Sequence, residues 1–119
     1  MRTSTETRYP RRGEVWLVNF NPARGSEQKG VRPALVVQNN VGNQYAATTI
    51  VAAITTTIKP YPVTVVIRAR TCGLPHDSIV NMAQVLTVDK GRLVRKLGEL
   101  APEQLAAVNR ALRVSLDLT

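Results

Sequence analysis

Six short runs rich in Val, Ile and Thr succeed one another through most of the chain, and they constrain the fold more than anything else in it. They are EVWLVNF (14–20), ALVVQN (34–39), TTIVAAITT (48–56), VTVVIRA (63–69), SIVNMAQVLTV (78–88) and RLVRKL (92–97). Turn signals such as Asn-Pro, Val-Gly-Asn and Lys-Pro-Tyr-Pro separate them. β-branched runs of this length bounded by Gly, Pro and Asn read as strands. Several short strands in close succession predict a small barrel or a sandwich.

The period changes near the C-terminus. Pro102 suits a first helical position, and Leu105, Val108, Leu112 and Leu116 then recur every three or four residues. This spacing predicts an amphipathic helix with Asn109, Arg110 and Arg113 toward its wetter side. Its expected role is to cover one side or end of the barrel. Residues 1–10 lack hydrophobic periodicity and are expected to form a loose tail, leaving 11–119 as a single domain. At 119 residues such a chain can bury roughly two-thirds of the surface it exposes when unfolded.

Charge narrows the partners. The formal net charge is +8, carried by 12 Arg and 4 Lys against 8 acidic residues. Guanidinium forks match phosphate oxygens two at a time, so an arginine-rich surplus points to a polyanion, either nucleic acid or an acidic protein. No apolar stretch approaches a membrane span and no signal-peptide core follows Arg11-Arg12, which predicts a cytoplasmic protein.

The inventory of reactive groups excludes several chemistries. Cys72 is the only cysteine, so there is no intrachain disulfide and no cysteine zinc site. His76 is the only histidine, which excludes a two-histidine ribonuclease. The acidic residues are scattered, whereas a metal nuclease needs them clustered. Gly25 and Gly30 fit no phosphate-loop spacing, and Ser26 has no evident serine-hydrolase partners. What remains is a set of arginines, hydroxyls and amides, with no metal or cofactor called for. Such a set can cleave RNA, which carries its own nucleophile in the 2′-hydroxyl. Positioning and fixed donors at the phosphoryl oxygens supply the rate. Arginine suits the charge-stabilising task but is a poor base, with a pKa above ~12. Glu27 is the neighbouring candidate for the base.

The stretch RRGEVWLVNFNPARGSEQKGVRPALVVQNN, followed by TTIVAAITT, closely resembles the MazF/PemK family of toxin endoribonucleases. The similarity continues through PHDSIVNMAQVLTVDKGRL and LAPEQLAAVNRALRVSLDL, and so covers essentially everything after residue 10. The combined G-S-E-Q-x-G-x-R-P signature ahead of an apolar strand is specific. The resemblance implies a mainly β fold with a C-terminal helix, a small SH3-like barrel of the MazF/PemK/CcdB type. It also implies sequence-specific, metal-independent cleavage of single-stranded RNA, giving a 2′,3′-cyclic phosphate (or 3′-phosphate) and a 5′-hydroxyl.

By the same resemblance Arg32 and Thr55 are the catalytic pair. Ser26 and Glu27 match loop positions tied to phosphate contact or activity, and Gln84 matches a polar position near the RNA path. Gln28 and Lys29 complete the polar loop, and Phe20 and Tyr61 lie where a ring can stack a base. Taken without the resemblance, Thr55 is as good a β-former as Thr48, Thr49, Thr56 or Thr57, and Ser26 can simply bond its own turn. His76 reads as a loop residue beside Asp77, and Cys72 as an inert small side chain. The family further implies a homodimer and a cognate MazE-like antitoxin with a flexible, often acidic C-terminal segment, which the positive charge favours independently. Two rival readings remain at this stage: a gyrase-poison-like protein binder, and a catalytically silent RNA-binding regulator.

Overall fold

Each of the six runs becomes a strand in the computed structural model, which describes residues 9–22, 30–57 and 62–118. Strand β1 spans Glu14–Asn19 and β2 Val31–Val36. Helix α1 follows at Asn40–Tyr45, then β3 at Thr48–Thr55 and β4 at Thr64–Ile67. Strand β5, Ser78–Asp89, passes through a 3₁₀ turn, Lys90–Arg92, into β6, Leu93–Glu99. Helix α2, Pro102–Ser115, closes the chain. Of the tail expected over 1–10, only Tyr9 and Pro10 are described; Pro10 is buried and Tyr9 half-buried.

The strands form one antiparallel sheet in the order β4-β5-β3-β2-β1-β6. Although β4 and β6 are its opposite edges, the turn after β4 lies backbone to backbone on β6. A Cβ on Gly98 would sit 2.5 Å from the Cys72 carbonyl carbon, and one on Gly73 2.2 Å from the Leu97 oxygen. Only glycine permits that approach, and Gly73 also adopts φ +75°, which side chains resist. The sheet therefore curls until its ends meet, as the barrel expectation requires.

Two apolar clusters occupy the two faces. The larger joins Val15, Leu35, Ile54 and Met82 to Val108 and Ala111 of α2. The smaller holds Val18, Phe20, Ala34, Val36 and Val51, with Trp16 and Leu86 packed against it. Strand β2 feeds both, Leu35 one way and Ala34 and Val36 the other, which is why its sequence runs apolar without alternating. Helix α2 starts as its sequence predicts, with Pro102 in the first turn and Gln104 Oε1 accepting the Ala101 amide at 2.8 Å.

Two expectations shift. Strand β2 covers Val31–Val36 instead of 34–39, so Arg32 and Pro33 belong to the strand and not to the loop before it. The Val-Gly-Asn stretch lies inside α1 instead of marking a plain turn. Asn39 caps that helix by accepting the Gly42 amide at 2.8 Å. Asn43 is fully buried; its Oδ1 accepts from Thr49 Oγ1 at 2.6 Å and Gln38 Nε2 at 3.1 Å. A buried amide satisfied on all sides holds α1 where an apolar stripe is missing.

Candidate active site at the strand ends

Arg32 is the second residue of β2 and Thr55 the last of β3, two antiparallel neighbours. Their registered pairs are Ala34 with Ala53, Leu35 with Ala52 and Val36 with Val51. Carried on two residues, this register sets Arg32 level with Thr55. The ladder stops before them because Pro33, between Arg32 and Ala34, has no N–H to donate. On its other side Arg32 pairs with Val18 of β1. Residues two apart share a face, so Arg32 lies on the face of Ala34 and Val36, and Thr55 on that of Val51. That is the face of the smaller cluster.

Arg32 is exposed and Thr55 half-buried. The Thr55 hydroxyl oxygen accepts the Thr57 amide at 3.1 Å, which leaves its own proton to donate outward. Gln84 lies in β5, the other neighbour of β3. There Asn81 opposes Ala53 and Val85 opposes Ala52, so Met82–Gln84 bulge out of the β3 ladder. Asn81 Oδ1 accepts the Ala83 amide at 2.9 Å, and Ser115 Oγ of α2 donates to the Met82 carbonyl at 2.6 Å. Bulges re-aim side chains, and this one leaves Gln84 exposed.

A cleft of about 500 Å³ lies where β1 ends, lined by Asn19, Phe20, Pro22, Asp89 and Arg92 among others. Phe20 departs from its expected place. It is only 9% exposed and packs into the smaller cluster, so it forms a wall of the cleft and not an open ring for stacking. The phenylalanine follows β1 directly and alternates inward with Val18, which is why burial prevails. Ser26, Glu27, Gln28, Lys29 and Tyr61 lie outside the described residues. Sequence reasoning missed Arg92, Asp89 and Asn19, whose meeting depends on contacts about seventy residues apart; the only signal was that they fall inside the family-like stretches.

Several other charged groups are committed to structure. Glu14, only 7% exposed, accepts the Arg11 amide and Trp16 Nε1, each at 2.9 Å, and pairs with Lys96 at 3.2 Å. Partial desolvation pulls the Lys96 pKa down, but its hydrogen bonds to Glu14 and Glu99 outweigh this and hold the ammonium above its ordinary value. Asp77 accepts the Ala69 amide at 2.7 Å and faces Arg68 at 3.9 Å, while His76 stays exposed. Burial raises the Cys72 thiol against a weaker opposing hydrogen bond from Thr71, which suits an inert side chain.

A curled antiparallel sheet with one covering helix, presenting an arginine and a hydroxyl at adjacent strand ends, defines a class of small β-barrel proteins whose site is built from donors. Residues 11–116 match the family of PemK-like, MazF-like toxins of type II toxin–antitoxin systems, and the chain belongs to that family. It is 44% identical over 110 residues to Endoribonuclease EndoA of Bacillus subtilis (strain 168), spanning 91% of this chain and 95% of that one. Among solved structures, an endoribonuclease in complex with its cognate antitoxin from a mycobacterial species matches with a TM-score of 0.79 at 29% identity, over 92% of this chain and 97% of that one. MazF of Deinococcus radiodurans matches with a TM-score of 0.78, also at 29% identity and over the same shares. Among the described residues no helix is long and apolar enough to cross a membrane.

Proposed function

We propose that this chain is the endoribonuclease toxin of a toxin–antitoxin pair, cleaving single-stranded RNA through the RNA's own 2′-hydroxyl. The observation that carries the reading is the convergence of Arg32 and Thr55, level with each other on one face, in a chain of this family.

The 2′-oxygen loses its proton and bonds to phosphorus, the P–O5′ bond breaks, and O5′ takes up a proton. A 2′,3′-cyclic phosphate and a 5′-hydroxyl result. The Arg32 guanidinium offers several N–H donors to the phosphoryl oxygens as negative charge builds on them. The Thr55 hydroxyl, its oxygen already engaged by the Thr57 amide, adds one more donor. Glu27 is the candidate to take the 2′-hydroxyl proton, and Ser26, Gln28, Lys29 and Tyr61 contact the RNA together with Gln84. Within residues 11–119 this is the work of a single domain in a cytoplasmic homodimer. A MazE-like antitoxin with a flexible acidic segment restrains it, drawn by the +8 charge.

The test is to incubate the purified protein with a long mixed-sequence RNA in the presence of a metal chelator and map the fragment ends. Discrete cuts with 5′-hydroxyl ends are expected. Ends bearing a 5′-phosphate, or cleavage only on adding a divalent metal, would overturn the mechanism.

A further inference from the structure

Strand β1 is paired on one side to β6 only as far as Val18 opposite Leu93, and the register has already slipped between Leu17 and Val18. Beyond that point the carbonyls of Asn19 and Asn21 continue toward the site with no β6 backbone to meet them. Arg92, the last residue of the 3₁₀ turn, fills the gap. Its Nη1 donates to the Asn19 carbonyl at 3.5 Å and to the Asn21 carbonyl. On the opposite side, the Phe20 amide donates to the Gly30 carbonyl and the Gly30 amide to Asn21 Oδ1, each at 2.9 Å. Asn19 and Val18 then pair with Val31 and Arg32. One guanidinium thus holds the stem from which Arg32 projects, across 71 to 73 residues of sequence.

We propose that Arg92 is a positioning residue for RNA cleavage: by tying down the end of β1 it fixes the start of β2 and so the placement of Arg32. The idea rests on the ribonuclease reading above. Nη1 carries two N–H donors, so two carbonyls can share one side chain. A displacement on the order of 1 Å at a reacting group can cost about a hundredfold in rate, so loosening the stem is felt in chemistry before it is felt in folding.

The experiment compares wild-type protein, Arg92→Ala, Arg92→Lys and a charge-matched control, Arg95→Ala, on exposed β6. Arg92→Ala is expected to lower kcat about 30-fold or more with KM changed less than about threefold, and Arg92→Lys to recover most of the loss. Amide exchange at Phe20 and Gly30 is expected to quicken in Arg92→Ala while Val36 and Val51 stay protected, a readout that needs no RNA. Should Arg92→Ala fail to fold, Arg92→Met, which keeps the apolar stem and loses every donor, is read the same way. An unchanged kcat, a rise in KM alone, or unaltered exchange at both amides would overturn the proposal. Absence of cleavage by the wild type would instead sink the ribonuclease reading, leaving the exchange result to judge the tether.

Discussion

Arg32 and Thr55 stand opposite each other at the ends of neighbouring strands, two residues beyond the last registered pair, Ala34 with Ala53. The backbone ladder cannot lock that level because Pro33 offers no donor. Two side chains that are 23 positions apart in sequence are thereby held on one face by the rigid sheet behind them.

Replacing Arg32 by Ala removes the donors that the proposed mechanism directs at the phosphoryl oxygens. A fall in kcat of about a thousandfold is expected, in line with the loss of a main transition-state donor. Arg32 is exposed, so the melting temperature is expected to move by less than about 4 °C. Single-turnover cleavage beside a thermal melt checks both. A near-normal rate would remove Arg32 from the site.

Thr55 is separated into its hydroxyl and its shape by two substitutions. Thr55→Val keeps the branch and loses the donor, so kcat is expected to drop about a hundredfold, while Thr55→Ser stays within about fivefold of the wild type. Equal losses in the two variants would show that packing, not the hydroxyl, matters at this position.

The strands were legible because each run is β-rich and clearly bounded, and α2 because Leu105, Val108 and Leu112 keep a helical period. The start of β2 was obscured by Arg32 and Pro33, which look like loop residues and sit in a strand for reasons of register. Helix α1 was hidden because Asn39 and Asn43 hold it through side-chain amides, which leave no periodic signature. At the site, nothing in local pattern separates Thr55 from Thr48, Thr56 or Thr57; only the resemblance did so. The Arg92 contacts to Asn19 and Asn21 join the turn before β6 to the end of β1, and no local rule foresees a tether of that span.

Barrel closure depends on the contact between the turn after β4 and β6. Gly98→Ala would drive a Cβ to 2.5 Å from the Cys72 carbonyl carbon. The expected loss of stability is about 3 kcal/mol, the range of strong overpacking. Gly91→Ala, with nothing within 4 Å of the new carbon, is the control and should be close to neutral. Urea denaturation midpoints read the difference. A neutral Gly98→Ala would mean that the two sheet edges can separate without cost.

Lys96 gives a pH signature. Its folded pKa lies above the unfolded one, so the stability it contributes is complete below about 10.4 and disappears as pH rises through the folded value. Lys96→Met is therefore expected to lower the denaturation midpoint at about pH 7 and to converge on the wild type only as the pH rises past the folded value. A gap of constant size across that range would show that the Glu14 and Glu99 contacts add nothing electrostatic.

An RNA carrying a single 2′-deoxy sugar at a mapped cut site isolates the role of the 2′-hydroxyl in cleavage. This substrate is expected to bind but not to be cut there, because the attacking oxygen is gone. Cleavage at the deoxy position at a rate near that of the parent RNA would contradict that role.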